Sequence, residues 1–206
     1  MEGAERVLAS YPSKEGVVAR RMNRRLVDLL VSWAGAVVVI ALVALGAAAI
    51  YGGSFALDNV RDRLEPQNIS FPPASAMSPE EKAEVGEFAG QKVDTGTEAE
   101  AFSRYIGGHL ALINEGKTYS ETSAAARVEG IPEKEAAELQ AKADTLFKGE
   151  TLRAILLNAY GWWTVGQITL WAGMGSVIAG LVLAAFVGLG FFHARKAKIM
   201  NDPVLK

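Results

Sequence analysis

The sequence contains no cysteine. Disulfides, thiolate nucleophiles, cysteine-ligated metals and a lipoprotein-type cysteine anchor are therefore excluded. Histidine occurs only twice, at His109 and His193. Two imidazoles so far apart do not by themselves supply a zinc or non-haem iron site. There is no glycine-rich phosphate loop, no nucleophile elbow and no His-Glu-x-x-His motif. Charge is missing from two long stretches. Residues 29–53 hold no ionisable side chain but Tyr51, and residues 154–192 hold none but Tyr160. Transporters, proton relays and voltage sensors depend on charge within the membrane, so this pattern argues against such roles for the chain alone. It argues equally against a haem held by transmembrane histidines, since His193 closes the second stretch and His109 lies in the polar middle.

What the two stretches do have is length. Each exceeds the roughly 20 apolar residues that cross a bilayer core of about 30 Å. The fold class read from this is an all-α membrane protein, with two antiparallel transmembrane helices and a small helical extracytoplasmic domain between them. The segments are 1–28, a basic tail; 29–53, the first span; 54–153, an acidic helical domain; 154–192, a helix that enters and forms the second span; and 193–206, a second basic tail. The first apolar core, Leu29 to Ile50, is 22 residues long. A cleaved signal core has about 7–15, so the first span is read as an uncleaved anchor.

Charge sets the orientation. Arg20, Arg21, Arg24 and Arg25 precede the first span, and Arg195, Lys196 and Lys198 follow the second. Residues 54–153 carry 11 basic and 18 acidic side chains, a net charge of −7. Short basic flanks stay in the cytoplasm. The expected location is the cell membrane, with both termini cytoplasmic and the acidic middle outside. An acidic outer segment makes nucleic acid an unsuitable partner; the lipid bilayer is the first partner the sequence implies.

Three tryptophans, Trp162, Trp163 and Trp171, stand near the outer end of the second span and are read as interface aromatics. They cannot all share one level, because Trp163 is eight residues, about 12 Å, from Trp171. Either the membrane core is 165–185, or Trp162 and Trp163 stand above the headgroups and cover the outer domain or a partner. The same span carries small residues at every fourth position: Ala172, Ser176, Gly180, Ala184 and Gly188. Such a helix-packing ridge admits close backbone approach. Its partner is either another subunit or the first span.

The outer segment reads as short helices. The first span continues to about Glu65 and stops before Pro66. "NISFPP" is extended. Ser78, Pro79 and Glu81 start a helix with a capping box, and Gly90 stops it. Thr97 and Glu100 are the expected cap of a longer amphipathic helix, which ends at Gly116. Phe102, Ile106, His109 and Ile113 form its apolar face, so His109 reads as a structural histidine. "KTYSETS" reads as a polar loop. From Pro132 a further helix carries Ala136, Leu139, Ala143 and Leu146 as a narrow stripe, with Gly149 weakening it. Large apolar side chains are few across the whole segment, which makes a marginal independent core.

"FAGQKV" (88–93), "HLALINEGKTYSE" (109–121) and "LRAIL" (152–156), in this order between two spans, resemble a family of small actinobacterial two-helix membrane proteins. The resemblance covers roughly 65–171, and the stretch 124–147 is longer than the family's usual segment there. Members carry the label aromatic ring-opening dioxygenase. That label implies a non-haem iron site built from histidine and carboxylate. Here the outer segment offers only His109, so no catalytic, cofactor-binding or metal residue is assigned, no cofactor is expected, and the protein is not expected to be an enzyme. The resemblance implies topology and lineage. The function expected is an accessory or structural subunit of a larger bacterial membrane complex. The actinobacterial respiratory cytochrome bcc-aa3 supercomplex is one candidate host, with its subunits as partners. The alternative is a cell-envelope ligand-binding or sensor module. A sensor would need a cytoplasmic output domain, for which tails of about 28 and 14 residues are too short.

Overall fold

The computed structural model describes residues 14–199. The ends of both basic tails, 1–13 and 200–206, lie outside the described residues. Among those described, the chain is all-helical apart from turns and one isolated bridge. The α-helices are α1 (Lys14–Leu64), α2 (Pro79–Val85), α3 (Gly96–Ile113), α4 (Tyr119–Ala125) and α5 (Glu133–Ile199). Two of them, α1 and α5, are long and apolar enough to cross a membrane. The chain divides into two compact units. One joins residues up to Ala49 with those from Ala172 onward; the other is Ile50–Trp171.

Helix α1 has no proline until Pro66, and there it gives way to a single 3-10 turn, Glu65–Gln67. Arg61 and Arg63 in its last turn face the partial negative charge of the helix end. Asn68 closes the turn in the left-handed region, φ 55°, and donates its N–H to Glu65 O. The chain then runs extended. Phe71 donates to Gln91 O at 2.9 Å, and Val93 donates to Ile69 O at 3.0 Å. These bonds flank the antiparallel Ser70–Lys92 bridge and hold Phe71 in the interior, 3% exposed. Phe88 stacks on Phe71, while Phe102 and Tyr105 meet it edge-on. Val60, Leu64, Met77, Val85, Val93, Leu156 and Trp163 complete this core with Ala99 and Ala101.

Three capping boxes start the three short helices. Ser78, Pro79 and Glu81 take the places their order predicts. The second box differs from expectation. It is Thr95 with Glu98, not Thr97 with Glu100, and the Glu98 carboxylate accepts from both Asp94 and Thr95 N–H. Glu100 instead pairs with Arg104 at 3.0 Å. The third box overturns the polar loop expected at "KTYSETS". Thr118 and Glu121 cap α4, whose Thr122 and Ser123 turn inward. The Glu121 carboxyl is held below the usual range, first by the Thr118 N–H and then by its hydroxyl. Gly116, φ +76°, reverses the chain after α3 and donates to Ala111 O.

Within the Ile50–Trp171 unit, α3 lies along α5. Gly96 meets Trp163, Ser103 O accepts from Arg153 Nε at 3.1 Å, and Leu110 covers Gly149. Gly149 is therefore a packing position rather than a weak point: a Cβ there would stand 2.6 Å from the Leu110 methyls. In the same unit, Gly53 abuts Gly166 and Leu170 of α5, and Leu57 covers Gly166. In the other unit, Gly35 meets Val187, Gly46 meets Gly173 and Val177, Gly180 meets Leu42 and Val43, and Gly190 meets Ser32. Trp33 and Phe191 touch edge-on, 5.8 Å between centroids.

Candidate functional site

The small-residue ridge divides by its contacts. A Cβ on Gly180 would stand 2.9 Å from a Val43 methyl, and the Ser176 hydroxyl donates to Leu42 O at 2.9 Å. Ala184 is half-buried, whereas Ala172 and Gly188 are exposed. Gly188 has open space around it. The physical reason is helical phase. A step of four residues advances 400°, so a ridge of every fourth residue rotates about 40° per step around the helix. Its middle touches α1 and its ends turn away.

The face that is used follows a seven-residue repeat instead. In one unit Gly173, Gly180 and Val187 lie against α1, and Ser32 and Gly46 lie against α5; in the Ile50–Trp171 unit Gly166 lies against α1 and Gly53 against α5; along each helix these positions differ by multiples of seven. Within each unit this interval matches the 3.5-residue period of packed helices. Glycine lets the backbones meet. A Cβ on Gly46 would be 2.9 Å from Gly173 O, and one on Gly53 would be 2.7 Å from Leu170 N. The every-fourth pattern concealed this repeat. Comparing the two apolar runs for a shared interval of seven would have exposed it.

The three tryptophans separate as well. Trp162 is 59% exposed and Trp171 is 68% exposed. Trp163 is 8% exposed and belongs to the core of the Ile50–Trp171 unit. Of the two places the sequence left open for it, Trp163 takes the one against the Ile50–Trp171 unit rather than a lipid-facing one: the indole is packed on Gly96, where it fills space that any side chain would occupy. Its Nε1 is buried without a hydrogen-bond partner among the described residues.

His109 is exposed rather than part of the apolar face of α3. Leu110, one residue on, takes the interior position, and Ile113 is exposed. The His109 ring rests against Tyr105, with Nδ1 3.1 Å from Tyr105 O and Nε2 3.3 Å from Glu81 Oε1. It thus ties α3 to α2. Burial, and then Glu81, raise the Tyr105 phenol above its ordinary value. Among the described residues no three His, Cys, Asp or Glu side chains converge on a point that could hold a metal ion. His109→Gln is expected to leave iron and zinc content unchanged in the purified protein, measured by elemental mass spectrometry; stoichiometric metal lost in the variant would contradict this.

The remaining feature is apolar surface. On α5 of the Ile50–Trp171 unit, Leu156 and Trp163 point inward with Gly166, while Ile155, Trp162, Val165 and Ile168 are exposed. A hollow beside α1 is lined by Phe55, Asp58, Asn59, Asp62 and Arg63. The chain matches no family model, no curated protein and no solved structure.

Proposed function

We propose that the protein is a non-catalytic accessory subunit of a larger bacterial membrane complex. In this reading α1 and α5 cross the membrane as an antiparallel pair, both termini are cytoplasmic, and the acidic segment 54–153 is outside. The contacts support that pairing: Gly35, Gly46 and Gly53 meet, in turn, Val187, Gly173 and Leu170. The charge partition of the sequence supports the orientation.

One observation carries the accessory role. The apolar run 154–192 is 39 residues long, about 58 Å as helix, against a bilayer core of about 30 Å. Roughly half of it has no place in lipid. On that excess one face fills the outer core, through Leu156 and Trp163, but the other stays exposed through Ile155, Trp162 and Val165. Exposed apolar surface that lipid cannot cover marks a protein contact. The actinobacterial respiratory supercomplex is a host this proposal admits, by the resemblance alone.

Extraction of native membranes in mild detergent, followed by a native gel and mass spectrometry, tests the role. The protein should migrate with an assembly many times its own 21.9 kDa. Migration at its own mass in the mildest extraction would contradict it and favour a free-standing envelope module.

A further inference from the structure

We infer that the ends of α1 and α5 nearest the chain termini form a binding site for an anionic phospholipid, its phosphate headgroup held where the two helices leave the bilayer side by side. This rests on the topology proposed above and adds a ligand to it. Residues 20–28 and 193–199 hold seven lysine and arginine side chains and a single acid, Asp28. Both stretches are helical and belong to the same compact unit. Contacts inside that unit set their register: Gly35 meets Val187, Ser32 meets Gly190, and Trp33 touches Phe191. Moving back along α1 therefore runs level with moving forward along α5. Arg25 stands seven residues before Ser32, Arg21 fourteen before Gly35, and Lys198 seven after Phe191. At the 3.5-residue period of packed helices, these are register positions at which α1 and α5 come together. Arg25 and Lys198 lie within one residue of the same level.

Like charges placed together in this way repel. Asp28 alone stands against seven cations, so most of the counter-charge comes from outside the chain. A phosphodiester supplies it well, because the arginine fork takes two phosphate oxygens at once. Basic pockets between transmembrane helices on the cytoplasmic side bind headgroups of this kind. The neighbouring surface selects a lipid over a soluble anion. Leu26, Val27 and Leu30, directly inward of Arg24 and Arg25, are 58%, 57% and 69% exposed. Cations and open hydrocarbon surface thus adjoin along one helix. Free phosphate would use the first and leave the second bare. A phospholipid uses both, with its headgroup on the cations and its acyl chains along the span.

The test reconstitutes the full chain in vesicles of equal phosphatidylglycerol and phosphatidylcholine, extracts it in mild detergent, and counts the retained lipid by native mass spectrometry. Phosphatidylglycerol should be retained over phosphatidylcholine by about tenfold. The preference should survive about 0.5 M salt, which removes diffuse attraction to a charged surface, and an excess of inorganic phosphate should not displace the lipid. Arg21→Gln, Arg25→Gln and Lys198→Gln together should abolish the preference. Arg61→Gln with Arg63→Gln, at the opposite end of α1, should leave it intact. Equal retention of the two lipids by the wild-type chain would overturn the inference. So would loss of the preference in salt, displacement by inorganic phosphate, or an unchanged preference in the triple variant. Impermeant thiol labelling of the chain ends on intact cells separates the two failures. Protected ends without a lipid preference leave the topology and remove this site; ends labelled from outside remove the topology on which it rests.

Discussion

Gly96→Leu should unfold the Ile50–Trp171 unit while the chain remains in the membrane. Gly96 is the first residue of α3, and a Cβ there would overlap Cβ and Cγ of Trp163. The obstacle is the root of a buried indole, not the end of a flexible side chain, so it cannot swing aside. Trp163 sits on α5, which also carries Leu156 and the Arg153 contact to Ser103 O. Relief would require α3 to lift from α5 along its length. The cost should be about 3 kcal/mol, the upper range for overpacking. That is a large share of the stability of a small, thinly filled unit. The measurement is limited proteolysis of membrane-embedded protein, where the wild-type outer segment should resist and the variant should be cut within α3 or α4. The reciprocal change behaves differently. Trp163→Phe keeps an aromatic ring and removes a buried N–H that has no partner, so it should cost under about 1.5 kcal/mol. Trp163→Ala should cost about 3–5 kcal/mol.

Gly180→Leu should separate α1 from α5, whereas Gly188→Leu should do almost nothing. Gly180 is buried, with Val43 2.9 Å and Leu42 3.3 Å from where its Cβ would lie. A leucine there forces the helices apart and forfeits the dispersion contacts on both sides, including those around Ser176 and Leu42 O. Gly188 has open space in the same position. Leucine is favourable in a bilayer core, so both variants should insert. Cysteines at Trp33 and Phe191, whose rings touch in the native protein, report the separation through the rate of oxidative cross-linking. The rate should fall about tenfold in Gly180→Leu, equivalent to about 1.4 kcal/mol. Equal rates in the two glycine variants would show that Gly180 does not face α1.

Local signals in the sequence carried the helix ends well. Pro66 closes α1, Ser78 with Glu81 opens α2, and Gly116 turns the chain after α3, because each acts through bonds to its immediate neighbours. The cap of α3 lay two residues from its expected place because the sequence holds two overlapping boxes of the same spacing, Thr95 with Glu98 and Thr97 with Glu100, and the helix uses the first. Helix α4 escaped notice because its seven residues carry almost no apolar period, and Thr122 and Ser123, both polar, are what it buries. Asn114 supplies the partner, donating to the Thr122 hydroxyl and to Lys117 O, a pairing that no spacing rule announces. The apolar face of α3 was legible through Phe102 and Ile106, but His109 and Leu110 exchange roles, since one residue is a rotation of about 100°. For the candidate surface, Trp162 and Trp163 stood out as a pair, but adjacent residues on a helix point in different directions. Only the position of α3 shows that Trp163 is interior and Trp162 is free.

The proposed placement of the acidic segment outside, between two crossings, underlies the proposed accessory role. Because the chain has no cysteine of its own, single cysteines introduced at Ser13, Ser120 and Lys206 can be probed on intact cells with a membrane-impermeant thiol reagent. The cysteine at Ser120, on the exposed side of α4, should be labelled on intact cells, and those at Ser13 and Lys206 only after the membrane is opened. Labelling at Ser13 or Lys206 on intact cells, or protection at Ser120, would contradict the account.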